Sequence, residues 1–193
     1  MTARGYSLLE VVFATSLSVT AAAAAVPQFQ IALDDYRAAG AARYVAARMH
    51  RVRMEAIVRS CEVALQFAQE GSGYSFAAYA DGNGNGVRSR DIQRGVDPRI
   101  AATERLAEMF DGVEFGALPG LPPVDSGGTP PGSDPIRLGS GSLASFSSAG
   151  TSSSGSLYIR GRRDIQYVVR IFGETGKIRV LKFDSRAREW RPL

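Results

Sequence analysis

The oxygen side chains best spaced to bind a metal ion lie in the segment Asp81-Gly82-Asn83-Gly84-Asn85-Gly86, with Asp91 after it. Oxygen ligands at alternating positions around a glycine turn are typical of the start of a calcium loop. An EF-hand needs an acid at its twelfth position, where this chain has Ile92. A Gly/Asn turn after a strand explains the segment equally well. The candidate Ca²⁺ ligands are Asp81, Asn83, Asn85 and Asp91.

A second candidate site is the basic carboxyl-terminal part of the chain. From residue 160 onward there are ten Lys or Arg and four Asp or Glu, whereas the whole chain has a net charge of +4. Basic side chains interleaved with an aromatic ring, here Trp190, are typical of surfaces that bind nucleic-acid phosphates and stack bases. The alternative is a surface that balances the acidic middle of the chain or docks on a neighbouring subunit. The candidate DNA contacts are Lys177, Arg179, Arg186 and Arg188.

Composition excludes several classes of protein. Of the 193 residues, 45% are hydrophobic and 22% are charged, as in ordinary globular proteins. The single cysteine, Cys61, cannot form an internal disulfide, and together with the single histidine, His50, it cannot supply the ligands of a structural zinc site. The sequence contains no P-loop, nucleophile elbow or dinucleotide fingerprint. We therefore expect no enzymatic activity and no required cofactor, with Ca²⁺ as a candidate ligand.

The amino-terminal part of the chain contains a charged residue that needs an explanation. From Tyr6 to Val26 every residue is uncharged except Glu10. This stretch is close to the roughly 20 residues that cross a bilayer as a helix, where a carboxylate is costly and usually functional. Two interpretations are a simple membrane anchor and a cleaved signal peptide, with Arg4 as its basic residue and cleavage in the alanine run 21–25. Neither accounts for Glu10 at the start of the apolar core.

A resemblance to the processing motif of type IV pilins and pseudopilins lies in the segment Arg4-Gly5-Tyr6-Ser7-Leu8-Leu9-Glu10. In that motif, a basic residue and Gly are followed by a bulky residue, a hydroxyl residue, two aliphatic residues and Glu. This chain has Tyr6 where the family usually has Phe. Pro27 matches the helix-bending proline that many pilins carry at the corresponding position.

The resemblance implies a role for each of these residues. A prepilin peptidase would cut between Gly5 and Tyr6 and would methylate the new amino terminus of Tyr6. The apolar stretch would be retained as an anchor, because the cut falls before it. Glu10 would pair with the terminal ammonium of a neighbouring subunit as the filament grows, which gives a carboxylate in lipid the partner that it needs.

One long helix must carry these residues. The sequence predicts a leader peptide at residues 1–5 and a helix over residues 6–59, of which residues 6–26 lie in the membrane. In the second half of the helix, apolar residues recur every three or four positions, which indicates a face that packs on a globular domain. The arginines between them are predicted to form a solvated face, with His50 on the surface. The apolar line consists of Val45, Met49, Val52 and Ala56.

The remainder, residues 60–193, is predicted to be a β-rich antiparallel domain, so that the fold class is α+β. The predicted strands cover 62–67 and 74–79, where apolar residues alternate, and also 105–115, 142–147, 155–160, 165–172 and 177–183. A hairpin turn is predicted at residues 173–176, and a buried Cys61 at the start of the first strand. Residues 117–156, rich in Gly, Ser and Pro, are predicted to form a long, flexible, exposed loop with a short strand near 143–146.

The pattern of one long helix, a strand hairpin and a final Gly-Lys-Ile-Arg strand resembles the GspH/FimT group of minor pseudopilins. The resemblance implies a single-pass protein of the bacterial inner membrane, with its carboxyl-terminal domain in the periplasm. Its partners would be other pilins and pseudopilins in a filament, in a type II secretion system or a related type IV pilus machine. Two alternatives stay open: a FimT-like pilin that binds DNA through its basic strand during uptake, and a signal-cleaved, secreted β-domain.

Overall fold

The computed structural model describes Gly5, residues 7–139 and residues 141–193. Its first element is the helix α1, Leu8–Arg59, which runs through Pro27 without interruption. The helix begins where the Ser7 side chain accepts the backbone N–H of Glu10, and it ends at Ser60, whose φ of 53° is left-handed. The helix predicted over residues 6–59 is thus confirmed for the described residues, and Tyr6 lies outside them.

The elements that follow α1 form two antiparallel sheets, as the α+β prediction required. In chain order they are β1 (Val63–Glu70), β2 (Gly73–Ala80), α2 (Ser89–Gln93), β3 (Glu104–Arg105), α3 (Leu106–Met109), β4 (Glu114–Phe115), β5 (Ile136–Leu138), β6 (Leu143–Phe146), β7 (Gly155–Arg160), β8 (Gln166–Phe172), β9 (Lys177–Asp184) and β10 (Glu189–Pro192).

The first sheet has the strand order β3-β2-β1-β6, and the second has the order β10-β9-β8-β7-β4, with β5 also paired to β7. The hairpin β1–β2 turns at Gly71, whose φ of 61° suits glycine. The hairpin β8–β9 turns at residues 173–176, as predicted, and pairs Phe172 with Lys177. Short turns join β1 to β2 and connect β7, β8, β9 and β10 in succession, so that they fix the register of these pairings. The strands β3, β4, β5 and β6 pair with strands that lie further away in the chain.

The second half of α1 covers one side of both sheets and forms the main core with them. Small side chains on this helix face let the backbone approach the strands closely. The apolar line predicted from the sequence is buried, and alanines extend it toward the amino terminus. The buried helix residues include Ala38, Ala41, Ala42, Val45, Met49, Val52 and Ala56.

A smaller core lies on the opposite face of the second sheet. There Tyr158 and Val168 are buried together with Leu121, which lies outside the helices and strands. Trp190 of β10 packs against Tyr158 and donates its indole N–H to the carbonyl of Pro122 at 3.2 Å. This cluster covers part of the sheet face that α1 leaves free.

The predicted strand over residues 105–115 is wrong. β3 and β4 occupy only its ends, and the short helix α3 lies between them. The reason is a helical turn in which the Phe110 N–H donates to the Leu106 carbonyl at 2.8 Å. This turn buries Leu106 in the core and places the Phe110 ring against Tyr44 of α1.

The predicted loop over residues 117–156 is also more ordered than its composition indicates. β6 confirms the short strand near residues 143–146, but β5 was not predicted. Ile136 and Leu138 are buried beneath β7, and Arg137 donates to the Pro130 carbonyl at 2.8 Å. Two alternating apolar side chains are enough to attach this short segment to the core.

Two smaller predictions also need correction. β1 begins at Val63 rather than at Cys61, and the Cys61 thiol is half-buried. The arginines of α1 are not all on a solvated face, because Arg48 forms an ion pair with Glu104 and Arg53 donates to the Gly176 carbonyl at 3.3 Å. His50 is exposed, as predicted.

Candidate assembly site on the amino-terminal helix

The first half of α1 is an uncovered apolar rod, which we call the apolar segment, Leu8–Ile31. None of the side chains described in this segment is buried; Leu8 is 83% exposed and Phe29 is 70% exposed. By length and composition the helix can cross a membrane, although a signal sequence meets the same criteria. Leaving a large apolar side chain in water costs about 1.5–3 kcal/mol relative to burial. The segment therefore requires a cover from outside the chain.

Glu10, the charged residue of this segment, caps its own helix. Its Oε2 accepts the backbone N–H of Ser7 at 2.8 Å and the Ser7 hydroxyl at 3.0 Å. The Ser7 hydroxyl in turn accepts the Glu10 N–H at 3.3 Å, which completes a capping box. The carboxylate is thus held at the tip of the helix, and both bonds use the same oxygen. Gly5 is exposed ahead of the helix, and Tyr6, the other predicted processing residue, lies outside the described residues.

The hydroxyl groups of the apolar segment are satisfied within the helix. Each donates to a backbone carbonyl three or four residues earlier, at 2.8–3.0 Å. Such back-bonding is the usual way for a hydroxyl to enter an apolar environment, because it leaves no unpaired donor. The residues concerned are Thr15, Ser16, Ser18 and Thr20.

A polar junction fixes the point at which α1 leaves the domain. Asp35 accepts the Tyr167 hydroxyl at 2.9 Å and pairs with the Lys182 ammonium at 2.7 Å. The neighbouring Asp34 is buried and pairs with Arg163 at 3.6 Å. Burial, followed by the hydrogen bond to Asp35, raises the pKa of Tyr167. The hydroxyl therefore stays protonated as a donor, which locks helix and sheet together.

The Asp81 segment forms a turn that is closed by its own carboxylate. Asp81 Oδ1 accepts the backbone N–H groups of Asn83 at 3.1 Å and Gly84 at 2.8 Å, and Oδ2 accepts that of Gly86 at 2.8 Å. Burial alone raises the pKa of the Asp81 carboxyl, but these backbone donors outweigh it, and the pKa lies below its usual range. The ionised carboxylate thus stabilises the loop through these hydrogen bonds.

Two further acids brace the same loop. Asp97 is 1% exposed and accepts the backbone N–H groups of Gly82 and Arg88, each at 3.0 Å. Asp91 is buried and accepts the side-chain amide of Asn85 at 3.2 Å. Asp97 therefore replaces secondary structure as a hydrogen-bond partner for the backbone of the loop, whereas Asp91 holds a side chain of the loop in place.

Within the described ranges 7–139 and 141–193, no group of three or more His, Cys, Asp or Glu is arranged to hold a metal ion. The structure brings the Asp81 loop against Asp91 of α2, where Asp81 accepts backbone N–H groups of the loop and Asp91 accepts the side-chain amide of Asn85. Binding of Ca²⁺ by Asp81, Asn83, Asn85 and Asp91 stays a prediction.

The basic tail divides into two pairs at opposite ends of β9. Lys177 and Arg179 are exposed at its beginning, whereas Arg186 and Arg188 lie in the turn after its end. At about 3.3 Å per residue, β9 separates the two pairs by about 23 Å. The four residues therefore do not form a single patch, although the sequence suggested one.

Sequence reasoning missed the aromatic residue beside Lys177 and Arg179. The centre of the Phe172 ring lies 5.4 Å from the guanidinium group of Arg170 and 5.5 Å from that of Arg179. Arg170 and Arg179 are cross-strand partners in the hairpin β8–β9. The hairpin turn predicted from the sequence was a signal for this pairing, because the position of a turn fixes which residues of the two strands lie opposite each other.

Comparison of the chain with protein-family models, with curated proteins and with solved structures finds no match. The functional argument therefore depends on the sequence and the geometry of the chain itself.

The Asp81 turn predicts a pH-dependent contribution to stability. Replacing Asp81→Asn removes one acceptor oxygen and is expected to lower the free energy of unfolding at pH 7 by about 1–3 kcal/mol. Because the folded pKa lies below the ordinary value of 3.8, the wild-type contribution is complete above that pH and disappears as the pH falls through the folded pKa. The free energies of unfolding of the two proteins, measured by urea denaturation, should therefore converge at acidic pH.

The matched control for this prediction is Asp164→Asn, which removes an exposed acid from another turn and should change little. A constant difference between the Asp81 variant and wild type down to pH 2 would contradict the assignment. Repeating the wild-type measurement in Ca²⁺ and in EDTA tests the calcium hypothesis, which requires greater stability in Ca²⁺.

Proposed function

We propose that this chain is a minor pseudopilin of a type II secretion system or a related type IV pilus machine. It is anchored in the bacterial inner membrane by the apolar segment, with its β-rich domain in the periplasm. A prepilin peptidase removes residues 1–5, cutting between Gly5 and Tyr6, and the mature chain joins other pilins in a filament. Its work is assembly rather than catalysis.

The observation that carries this proposal is one continuous helix with two different environments. Its second half is buried in the domain, whereas the side chains described in the apolar segment are uncovered. A separate signal peptide would not need a rigid connection to the domain, but α1 passes from one environment to the other without a break. Lipid before assembly and neighbouring helices after assembly can each cover such a rod.

The position of Glu10 supports the proposal further. A carboxylate at the end of a membrane helix can be neutralised by an ammonium group on an adjacent chain. The capping box holds the Glu10 carboxylate at the amino-terminal tip of α1, and its two bonds engage only Oε2. A neighbour's amine can therefore approach without the loss of the cap.

Glu10 provides the direct test of assembly. Glu10→Gln keeps a side chain that can complete the capping box but removes the charge. Since breaking a buried ion pair costs about 3–5 kcal/mol, we expect incorporation to fall at least tenfold while membrane insertion is retained. The measurement is an immunoblot of membrane and sheared-filament fractions from cells with the cognate machine.

The control variant is Ser18→Ala, which removes an internally bonded hydroxyl from the same segment. It should enter membranes and filaments like the wild type. If Glu10→Gln enters filaments as well as the wild type does, the carboxylate does not guide assembly.

DNA capture is a second candidate function, favoured by the surface at the beginning of β9. Lys177 and Arg179 are exposed there beside Phe172, whose ring also lies near Arg170. Cations can bind phosphates and an aromatic ring can stack a base. Arg186 and Arg188 lie at the other end of β9 and would need a separate contact.

Titration of the full chain in detergent with a fluorescent DNA duplex at increasing salt tests this candidate. If Lys177 and Arg179 contact phosphates, replacing both with Gln reduces the slope of log affinity against log salt by about two. Replacing the exposed Arg88 and Arg90 with Gln is the matched control, and it should leave the slope unchanged. Absence of binding by wild type at low salt would eliminate DNA capture.

A further inference from the structure

Two turns of the second sheet lie at the end of the domain from which the apolar segment emerges. In the β7–β8 turn, Arg163 donates to the Gln30 side chain at 3.1 Å, one helical turn beyond Val26. β9 runs toward the same end of the domain. Gly176, just before β9, accepts a hydrogen bond from Arg53 near the carboxyl-terminal end of α1, whereas Lys182, near the end of β9, pairs with Asp35, which lies close to the apolar segment. The β9–β10 turn therefore also lies on the membrane side of the junction.

The length of α1 sets the depth of these turns. At about 1.5 Å per residue, the helix from Leu8 to Val26 is about 28 Å long, close to the roughly 30 Å hydrocarbon core of a bilayer. Gln30 lies about 6 Å further along the axis, which is within a headgroup layer about 5 to 7 Å thick. Because Arg163 is bonded to Gln30, its guanidinium lies at the depth of lipid phosphates.

The two turns carry four exposed arginines, which we call the basal arginines: Arg162, Arg163, Arg186 and Arg188. Arg162 pairs with Asp111 at 3.0 Å, yet its side chain remains 52% exposed, and that of Arg163 remains 44% exposed. Asp164 lies within the first turn, and Asp184 and Glu189 flank the second. Asp111 and Asp34 pair with Arg162 and Arg163, and Arg188 donates to the Gly120 carbonyl at 3.0 Å. The four arginines outnumber the acids of the turns themselves, and their side chains stay exposed while these contacts hold them in place.

The backbone of these turns is unusual for arginine. Arg163 and Arg188 have φ angles of 56° and 55°, in the left-handed region that favours glycine or asparagine. A long basic side chain has no advantage for forming such a turn. Its planar guanidinium is, however, well suited to binding a phosphate through two parallel hydrogen bonds.

We propose that the basal arginines bind the phosphates of anionic phospholipids in the membrane whose hydrocarbon core residues 8–26 of the apolar segment cross. This inference rests on the membrane insertion contained in the proposed function, and it adds a specific lipid contact to it. The contact holds the base of the domain on the bilayer before assembly. A nucleic-acid duplex is excluded as the occupant, because the headgroup layer is too thin to admit one.

The test measures lipid affinity on the purified full chain in detergent micelles, by native mass spectrometry with phosphatidylglycerol and with phosphatidylcholine. Each basic side chain at an anionic surface strengthens binding about fivefold. Replacing the four basal arginines with Gln is therefore expected to weaken phosphatidylglycerol binding at least tenfold. Wild type is expected to bind phosphatidylcholine more weakly than phosphatidylglycerol.

The matched control replaces four other exposed arginines, Arg88, Arg90, Arg94 and Arg99, with Gln. They lie around the Asp81 loop, which is joined to Glu62 just beyond the far end of α1, about 43 Å along the helix from Gln30. This variant has the same net charge as the basal variant and should bind phosphatidylglycerol like wild type. Circular dichroism confirms that each variant is folded.

Equal phosphatidylglycerol affinity for wild type and the basal variant would overturn the proposal. So would an equal loss in the control variant, the absence of a lipid preference in wild type, or protection of the basal arginines by a DNA duplex instead of by lipid. The assay uses purified chain and does not require filaments. A negative result here with normal filament incorporation therefore rejects the lipid contact alone, whereas failed incorporation of wild type rejects the proposed function.

Discussion

The structure depends on one constraint: α1 exposes more apolar surface than its own domain can cover. The domain covers the second half of the helix, but the side chains described in the apolar segment have no cover in a single copy. Hydrophobic burial is the dominant favourable term in folding and association, so such a surface is stabilised by an apolar cover, which lipid or other helices can supply. Anchoring and assembly are two ways of meeting the same requirement.

The junction between helix and domain turns this requirement into a defined geometry. Asp34 and Asp35 bind side chains of the second sheet, including the Tyr167 hydroxyl and the Lys182 ammonium. Small helix residues, such as Ala38 and Ala42, pack closely below the sheets. The domain is therefore attached rigidly to α1, and the depth of the apolar segment in a membrane determines the position of the whole domain. A flexible linker would lose this relation.

Much of the fold could be predicted from the sequence, because local patterns specify it. The spacing of Val45, Met49 and Val52 indicated the packed helix face, and alternating apolar residues located most of the long strands. The pattern of Ser7 and Glu10 contained the capping box, although the sequence analysis used it only as part of the processing motif. These features depend on residues a few positions apart.

The errors concern features that depend on distant residues. The segment around Leu106 and Phe110 is predicted as part of a strand, yet it forms a helical turn whose Phe110 ring contacts α1. Ile136 and Leu138 lie in a sequence of loop-like composition, and pairing with β7 makes them a strand. The candidate DNA residues adjoin each other in sequence, but the length of β9 separates them. Only the tertiary structure shows which of these residues meet.

The central claim is that the apolar segment is kept in the mature protein and carries the domain into a membrane and then a filament. The mass of the intact chain recovered from the membrane fraction of the native host tests this claim most directly. The account predicts a chain that begins at Tyr6, carries one added methyl group at its amino terminus and retains the whole of α1. A soluble chain that begins after Ala25 would contradict it.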